Sequence, residues 1–544
     1  MERTLVTAAL PYANGPLHIG HIAGAYLPAD VYVRHCRAQK RDVVFICGTD
    51  EHGVPITLAA EKRNITPKAF VDEVHNQMET TFARLGISFD NFSGTARPNH
   101  YAITSDFFLT LDKKGYLEKK SLHQLYCRHC ARFLPDRYVE GSCPRCKQPG
   151  ARGDQCEKCG SDLDPTELLS PLCKICGQVP ILKETFHWFL KLSVFEKPLT
   201  DWLESKKALW KENVIHFCEG LLKAGLPDRA ITRDMEWGVP VPLPEGKGKV
   251  IYVWFDAPIG YISATQEWAA RKGEPDLWKK YWRDPDARLI HFIGKDNIVF
   301  HSIMWPAVLM GVSGYVLPTH IPANEFLNLE GEKVSTSRGY AIWVHEFLED
   351  FQADSLRYYL ASIAPESKDA DFSLKEFQAA HNNELADILG NFVNRTVTFA
   401  HKYFNGTMPS AAPDAESERI FIAIQKCTAD LADAFDHFQV RKSCVLLLDL
   451  CREANKYFND RAPWKSRKDN LPHCGETVRV CLHLIHALST LCVPLLPFTA
   501  EKMAALFPQS LAEGSPVGSV GILFAKIEDE QIDKWIQILR ALKK

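Results

Sequence analysis

The chain lacks a strong charge of either sign and any long hydrophobic run. Its 544 residues include 64 lysines and arginines against 67 aspartates and glutamates, a net charge of −3. No overall basic field therefore indicates a polyanionic partner, although a local cluster such as residues 461–468 is basic enough to hold one. No apolar run approaches the length of a membrane-spanning helix. We expect no signal peptide, because Pro11 and Asn14 soon interrupt the first apolar run.

The sequence also shows no disulfide framework and no internal repeat. Of its 17 cysteines, eight form four C-x-x-C pairs, and the other nine stand singly in mostly apolar contexts, as in a reducing compartment. Hydrophobic residues at 46% and charged residues at 24% are ordinary for a soluble globular protein. A chain of this length is too long for one hydrophobic core, so we expect three or four domains. The unpaired cysteines lead us to expect a cytoplasmic protein.

A short motif near the N-terminus is the first candidate site. The apolar run Leu5–Leu10 suits a buried strand, and helical periodicity begins near His18 after a break rich in proline and glycine. His18-Ile19-Gly20-His21 therefore lies at a strand-to-helix turn, where open α/β sheets bind ligands. Two histidines three apart share a helix face and can donate hydrogen bonds to phosphate oxygens, although such pairs are also common on helix surfaces. Gly20 leaves the backbone open to a flat base or ribose.

A second turn of the same kind follows. After a helical pattern over residues 22–39, the apolar run Arg41–Cys47 predicts another buried strand, which ends in Gly48-Thr49-Asp50-Glu51-His52-Gly53. Two such turns make half of a doubly wound nucleotide-binding sheet. Asp50 has the chemistry to hold an ammonium group and His52 to orient a ribose or phosphate. The alternative is a polar cap on the next helix.

The C-x-x-C pairs predict metal sites. Two pairs supply the four thiolates of a tetrahedral structural zinc site, whereas the compartment disfavours disulfides and a redox C-x-x-C would not occur four times. The nested spacing places the inner two pairs in one knuckle, with the outer two pairs clamping its base around a second zinc. The inner pairs are Cys143/Cys146 and Cys156/Cys159, and the outer pairs are Cys127/Cys130 and Cys173/Cys176.

Two further strands are predicted beyond the cysteines. Val250–Phe255 alternates like a strand and leads into Asp256, and Arg288–Ile293 leads into Gly294-Lys295-Asp296. From residue 354 onward the periodicity is helical. Four amphipathic helices are expected there, which predicts a bundle: Glu384–Phe404, Ser417–Phe435, Val440–Phe458 and Thr477–Phe507.

Several motifs in order resemble those of a known family. PYANGPLHIGH resembles the HIGH signature of class I aminoacyl-tRNA synthetases, and together with YVWFDAPIGY and GKDNIVFH it is similar to the methionyl-tRNA synthetase family over essentially the whole chain. The resemblance implies an α/β fold, a Rossmann-type doubly wound parallel sheet split by a zinc-knuckle insertion and followed by an all-α helix bundle. The implied domains are the first sheet half (1–115), the connective insertion (116–230), the second sheet half (231–322), the KMSKS-like loop and linking region (323–380) and the anticodon-binding bundle (381–544).

The resemblance also implies an activity, the joining of methionine to ATP followed by transfer of the methionyl group to tRNA(Met) for translation initiation and elongation. The implied catalytic residues are His18, His21 and Lys333. The implied ATP-binding residues are His18, Gly20, His21, Lys295, Asp296, Lys333, Ser335 and Thr336. The loop Lys333-Val334-Ser335-Thr336-Ser337 departs from the KMSKS pattern at Val334 and at Thr336, where the family has a second lysine that helps neutralise pyrophosphate.

The remaining implied residues bind methionine and tRNA. Those of the methionine pocket are Leu10, Tyr12, Asp50, Trp254, Ala257, Pro258, Tyr261 and His301. Asn394 and Trp464 are implied to read the anticodon, because unstacked bases are held by stacking and edge hydrogen bonds.

The implied cofactors are one or two structural Zn²⁺ ions and Mg²⁺ with ATP. No appended dimerisation module is recognisable, so we expect a monomer without a membrane partner.

Two other interpretations remain open. One is a sister class I synthetase for leucine, isoleucine or valine, although those enzymes carry a large editing insertion where this chain has a short one with zinc knuckles. The other is a non-enzymatic zinc-knuckle RNA-binding protein on a degenerate synthetase scaffold, motivated by Thr336. The intact His18, His21 and Lys333 argue against the second alternative.

Overall fold

The computed structural model describes residues 3–135, 138–153, 156, 158–159, 161, 163–335, 339–519 and 521–542. Its centre is a sheet of five parallel strands. From edge to edge these strands are Ala323–Asn324, Arg288–Gly294, Arg3–Ala8, Asp42–Thr49 and Asn91–Gly94. The strand order therefore reverses between Arg3–Ala8 and Arg288–Gly294, as in the predicted doubly wound sheet.

Alternate residues of the central strands enter two separate cores. Val6 and Phe45 belong to one hydrophobic cluster, and Leu5 and Val44 belong to the other, because successive side chains of a strand point to opposite faces. Helices cover both faces, as a buried parallel sheet requires. The helices that belong to the two halves of this sheet are Ile19–His21, Ile22–Tyr26 (a π-helix), Leu27–Ala38, Val54–Lys62, Pro67–Leu85, Pro98–Lys113, Val253–Asp256, Ile259–Arg271, Lys279–Trp282, Lys295–Asn297 (3₁₀), Phe300–Met304 (π) and Trp305–Val312.

An antiparallel insertion separates the two halves of the sheet. Its long ribbon pairs Leu117–Cys127 with Ile181–Leu190, and Arg132–Phe133 and Arg229–Ala230 extend the edges. A small sheet of Pro149–Arg152, Val139–Ser142 and Leu169–Cys173 lies beyond the ribbon. The insertion also contains the helices Pro165–Glu167 (3₁₀), Leu192–Phe195 (3₁₀), Glu196–Glu204 and Glu212–Ala224.

The segment Val250–Phe255 is not one strand, so that prediction was wrong. Val250–Ile251 pairs with Thr232–Arg233, after which Val253–Asp256 forms a helical turn. An alternating run of five or six residues fits a short helix as well as a strand, and tertiary contacts decide between them. The turn brings the Asp256 carboxylate to His52, with 2.7 Å between Oδ2 and Nδ1.

A hairpin and a helical region complete the chain. The remaining strands are Leu327–Leu329, Glu332–Lys333 and Ala370–Phe372, and a 3₁₀ turn spans Pro244–Gly246. The remaining helices are Val344–Asp350, Ala353–Ser362, Leu374–Ala379, Ala380–Gly390 (π), Asn391–Tyr403, Ala415–Asp436, Val440–Arg461, Pro463–Asp469, Leu471–Leu491, Pro497–Ala504 and Asp529–Leu542.

The bundle agrees with prediction except in its last long helix. Thr477–Phe507 was expected to be continuous, but the helix ends at Leu491 and a second one begins at Pro497. Pro494 and Pro497 explain the break, since proline has no N–H for the helical ladder. Across the described ranges, no helix is long and apolar enough to cross a membrane.

Candidate active site

A cavity of about 680 Å³ opens where the strand order reverses. Its wall includes residues 9–12, directly after the strand Arg3–Ala8, and Gly294, Asp296 and Asn297, at the end of the neighbouring strand. This is the position at which doubly wound sheets bind ligands. The structure brings many predicted site residues into this wall, namely Leu10, Tyr12, His18, Gly20, His21, Asp50, Trp254, Asp296 and Lys333.

The histidine turn is held by its own side chains. His18 caps the first helical turn: its Nδ1 accepts from the His21 N–H at 3.3 Å, and the His18 N–H donates to His21 Nδ1 at 3.2 Å. The two rings stack with 3.5 Å between their centres. A Cβ on Gly20 would lie 3.1 Å from the His18 ring, so glycine permits this close arrangement.

Both histidines are neutral near pH 7. Loss of hydration, followed by the neighbouring His21, lowers the pKa of His18 well below its usual range. Loss of hydration lowers the pKa of His21 to about 4. Because each Nδ1 accepts a backbone N–H, each neutral ring carries its proton on Nε2. The turn therefore offers two N–H donors to an anion without itself being charged.

Lys333 reaches the cavity from a hairpin on the opposite side. Leu327–Leu329 pairs with Glu332–Lys333, and Asn328 lies opposite Lys333. Glu330 and Gly331, at the tip, both have positive φ angles of 49° and 78°, as a tight two-residue hairpin turn requires. The Lys333 side chain is exposed to solvent at the cavity mouth.

The segment after the lysine hairpin packs against the histidine turn. Ser335 N–H donates to the Tyr340 carbonyl at 2.9 Å, closing the base of the loop. Ile19 N–H then donates to the Ile342 carbonyl at 3.1 Å. The histidine turn and the segment that follows the lysine hairpin are thus joined by a backbone hydrogen bond. Thr336, predicted to bind ATP, lies outside the described residues.

The aromatic end of the cavity is buried and internally hydrogen-bonded. His301 Nδ1 donates to the Asn297 carbonyl at 3.1 Å, which leaves Nε2 to accept the Tyr261 hydroxyl at 2.8 Å. Burial lowers the pKa of His301 to about 4, consistent with a neutral ring. Trp254 stacks on Phe300 with 4.2 Å between ring centres, and its other face is free to meet the cavity. Four further residues predicted for the methionine pocket are absent from the described cavity wall, namely Ala257, Pro258, Tyr261 and His301.

Asp50 places a carboxyl group between these two ends. Its side chain is buried, and burial, followed by the nearby Asp256 carboxylate, raises its pKa well above the usual range. His52 contacts Asp256 at 2.7 Å through Nδ1 and the Tyr101 hydroxyl at 3.1 Å through Nε2. A cationic group bound at Asp50 would relieve the repulsion between the two carboxylates.

Lys295 is predicted to bind ATP, but its side chain contacts other protein groups. Its ammonium donates to Glu325 Oε2 at 2.8 Å and to Asp369 Oδ1 at 2.7 Å, and it is absent from the described cavity wall. The next residue, Asp296, does line the cavity, and burial raises its pKa. A Cβ on Gly294 would approach Asp296 Oδ1 to 2.7 Å, so any other residue there would displace the Asp296 carboxyl group.

Sequence reasoning missed several wall residues that come from distant segments. They include Asn14, Arg233, Met235, Trp237, Tyr252, Glu325 and Phe326. The Arg233 guanidinium lies 3.8 Å from the centre of the Tyr252 ring, and Trp237 Nε1 donates to the Glu51 carbonyl at 2.7 Å. The side chains of these residues meet at the site only in the folded chain, so no local period of the sequence indicates them.

The eight paired cysteines form two clusters with the predicted partners. Cys127, Cys130, Cys173 and Cys176 make one cluster, and Cys143, Cys146, Cys156 and Cys159 make the other. Zinc bound at 2.3 Å to four sulfurs holds them about 3.8 Å apart. The measured Sγ–Sγ distances of 3.4 and 3.9 Å in the outer cluster and 3.6 and 3.9 Å in the inner one fit such a tetrahedron. Ser161 lowers the pKa of Cys159 to about 6, which favours the thiolate ligand.

The bundle presents an exposed aromatic group beside a cation. Trp464, 39% exposed, follows the left-handed residue Ala462 at the start of a short helix. The Arg395 guanidinium lies 5.9 Å from the centre of the Trp464 ring and 4.6 Å from that of Phe458. Asn394 is exposed on the same helix as Arg395. This surface suits an unstacked base.

The sheet, the histidine turn and the lysine hairpin define the class. A family model described as tRNA synthetases class I (M) matches residues 4–397, and the anticodon binding domain of methionyl tRNA ligase matches residues 408–543. The chain therefore has the fold expected of a class I aminoacyl-tRNA synthetase, and the family model assigns it to that class.

Curated relatives narrow the class to one family. Methionine–tRNA ligase of Chloroherpeton thalassium is 48% identical over 98% of this chain and 77% of its own length. That of Pyrococcus furiosus is 46% identical over 98% of this chain and 76% of its own. The chain belongs to the methionyl-tRNA synthetase family.

Solved structures share the fold. Mycobacterium tuberculosis methionyl-tRNA synthetase in complex with methionyl-adenylate aligns with a TM-score of 0.80 at 24% identity. The alignment covers 96% of this chain and 100% of that one.

Proposed function

We propose that the chain is a methionine–tRNA ligase that works in the cytoplasm. It forms methionyl-adenylate and pyrophosphate from methionine and ATP, then transfers the methionyl group to tRNA(Met) for translation initiation and elongation. The observation that carries this proposal is one cavity that joins neutral histidine donors, a lysine hairpin, a buried carboxyl group and an aromatic end.

In the activation step, a methionine carboxylate oxygen attacks the α-phosphorus of ATP. A bond forms between that oxygen and phosphorus, the bond from the α-phosphorus to the bridging oxygen breaks, and pyrophosphate leaves with its charge. His18 and His21 donate their Nε2–H groups to phosphate oxygens from one side, and Lys333 supplies positive charge from the other. Mg²⁺ bound to ATP neutralises further phosphate charge.

We propose that Asp50 holds the methionine ammonium group. The repulsion between Asp50 and Asp256 favours a bound cation over a neutral group at this point. Leu10, Tyr12 and Trp254 of the cavity wall face the thioether, because sulfur makes favourable contacts with aromatic rings. Ala257, Pro258, Tyr261 and His301, which are absent from the wall of the free cavity, are proposed to complete the pocket when methionine binds. Since His301 already accepts the Tyr261 hydroxyl, the free pocket has an ordered polar floor.

The residues proposed to contact adenosine and phosphate are assigned from their positions in the fold. Gly20 and Asp296 lie in the wall near the histidine turn and the ribose position of a doubly wound sheet. Ser335, and Thr336 beyond the described residues, are proposed to contact phosphate by hydrogen bonds. Lys295 acts on ATP only if it leaves Glu325 and Asp369.

We propose that both cysteine clusters hold structural zinc and act by keeping the insertion folded. The sulfur geometry supports four thiolates per ion in each cluster. Metal analysis of purified protein should then give about two zinc ions per chain. Cys143→Ser should lose the inner ion only, and Cys173→Ser the outer ion only. A metal-free chain that still folds and charges tRNA would overturn this assignment.

We propose the domain division 1–115, 116–230, 231–322, 323–380 and 381–544, with Asn394 and Trp464 of the last domain reading the anticodon.

Methionine-dependent exchange of labelled pyrophosphate into ATP, measured with a panel of amino acids, tests the proposed function. Methionine should support the highest kcat/KM. Faster exchange with leucine, isoleucine or valine would indicate a sister synthetase, and no exchange with any amino acid would indicate a degenerate scaffold.

A further inference from the structure

A lysine of the insertion reaches into the sheet edge beside the cavity. Lys211 directly precedes the helix Glu212–Ala224. Its ammonium donates to three oxygens, the carbonyls of Ala323 at 2.9 Å and Glu366 at 2.8 Å and the amide oxygen of Asn324 at 3.0 Å. An ammonium group has three N–H donors, so none is left for a ligand. Its role is therefore to hold protein segments in place.

The strand Ala323–Asn324, which Lys211 holds, contacts the helix that follows the histidine turn. Asn324, whose amide oxygen accepts from Lys211, donates its amide N–H to the carbonyl of Ala23 at 3.3 Å. Ala23 belongs to the π-helix Ile22–Tyr26, which continues directly from His18 and His21. Asn324 is 4% exposed, so its contacts are shielded from water. Orientation of this amide thus fixes the helix behind the histidines.

The same strand, Ala323–Asn324, also leads along the chain to Lys333, the lysine proposed to act in catalysis. From Asn324 the chain passes through Glu325 into the hairpin Leu327–Leu329 and Glu332–Lys333. Glu325 is itself held by Asn213, whose amide donates to Oε1 at 2.8 Å. Lys211 and Asn213, two residues apart in the insertion, therefore hold the base from which the Lys333 hairpin extends.

The cost of burying this ammonium indicates that its position matters. Burial lowers the pKa of Lys211 to about 8, although the Glu366 and Glu325 carboxylates favour its charge. A lysine that only filled space could be replaced by an aliphatic residue at lower desolvation cost. Here the charge is kept where three oxygens from two segments converge.

We propose that Lys211 is a positioning residue for adenylate formation, which sets the distance between the histidine turn and the Lys333 hairpin. The proposal rests on the proposed ligase function. It assigns the connective insertion a second role beyond its zinc sites, since the insertion fixes the phosphate side of the cavity through Lys211.

Lys211→Met tests the proposal, because methionine keeps the aliphatic length and removes all three donors. The kcat of methionine-dependent pyrophosphate exchange should fall about 10- to 100-fold, as expected for a small displacement of catalytic groups. The KM for methionine should stay within about twofold, because the methionine pocket lies at the other end of the cavity. Lys206→Met is the matched control, since that ammonium lies over the Trp202 ring at 6.0 Å rather than on the sheet edge.

A second variant keeps the test decisive if Lys211→Met folds poorly. Asn324→Ala removes the link to Ala23 and should lower kcat similarly, and the double variant should lose no more than the larger single loss. Wild-type kcat in Lys211→Met, or a methionine KM that rises as much as kcat falls, would overturn the inference. Failure of the proposed function is distinguished by absence of exchange in the wild type.

Discussion

The two ends of the cavity differ in how their groups are held. At the proposed methionine end, Tyr261 and His301 are 1% and 4% exposed and hydrogen-bonded to each other. At the proposed phosphate end, Lys333 is exposed on a two-residue strand whose hairpin is fixed at its base. Under the proposed function, a buried and internally hydrogen-bonded end selects the amino acid, and an exposed hairpin supplies the stabilising charge. The two ends should therefore respond differently to mutation.

The largest effect is expected at the phosphate end. Lys333→Ala removes the ammonium group that lines the same cavity as the histidine turn. Loss of one preorganised stabilising group costs ~10²–10³-fold in kcat. Pyrophosphate exchange should fall by about that factor, with little change in the KM for methionine. Lys368→Ala changes another exposed lysine, two residues before the strand Ala370–Phe372 that pairs with Leu327–Leu329, and should be near wild type. An unchanged exchange rate in Lys333→Ala would remove this lysine from the chemistry.

The methionine end should show the opposite signature. Asp50→Asn keeps the shape and removes the charge, so the KM for methionine should rise roughly 10- to 100-fold, the value of a hydrogen bond to a charged group. The kcat at saturating methionine should fall much less. Asp106→Asn, the same change of charge at an exposed position of the helix Pro98–Lys113, serves as the control and should leave the KM for methionine unchanged. A loss confined to kcat would contradict the assignment of Asp50 to the ammonium group.

The pH dependence of methionine binding sharpens this comparison. The pKa of Asp50 is raised in the free pocket, so the carboxyl group is protonated below that raised pKa and cannot hold an ammonium ion. Affinity for methionine should therefore fall as the pH falls through it, and binding there should release a proton. Calorimetry in two buffers of different ionisation enthalpy measures this release, which Asp50→Asn should abolish. Proton uptake on binding would contradict the account.

A smaller effect is expected far from either end. Trp464→Ala should raise the KM for tRNA about tenfold, because stacking of one base on an aromatic ring is worth ~1–3 kcal/mol. Aminoacylation measures this change, and pyrophosphate exchange should stay near wild type. Ile422→Ala, at another exposed bundle position, should change neither. An equal loss in both assays would make Trp464 a structural residue.

The smallest effect is expected from restoring the family's second lysine. Thr336→Lys adds one positive charge to the loop, and an ion pair in contact with solvent is worth ~0–1 kcal/mol. The exchange rate should be unchanged or rise by up to about fivefold. A strong loss would mean that this loop differs in geometry from KMSKS loops, and that Lys333 acts differently as well.

Sequence patterns predicted the functional groups whose residues lie close together in the sequence. The histidines of residues 18–21 and the cysteine pairs are adjacent in the chain, so spacing alone indicated both the turn and the metal sites. The parallel sheet followed from apolar runs that end in polar turns, and both halves were found.

Patterns failed where tertiary contacts decide. Asp256 was expected after a strand but ends a helical turn that reaches His52, more than 200 positions earlier. Lys211 directly precedes a helix and belongs to no motif, and its acceptors at Ala323 and Glu366 lie more than 100 positions later. Such contacts between distant segments leave no local period in a single sequence.

The most direct test of the central claim is formation of enzyme-bound adenylate without tRNA. Purified protein is mixed with methionine, α-labelled ATP, Mg²⁺ and pyrophosphatase, and the product retained by the protein is identified after gel filtration. The account predicts about one methionyl-adenylate per active chain, a stoichiometry set by one cavity. It also predicts that added pyrophosphate converts this product back to ATP. A retained adenylate of another amino acid, or none from methionine, would contradict it.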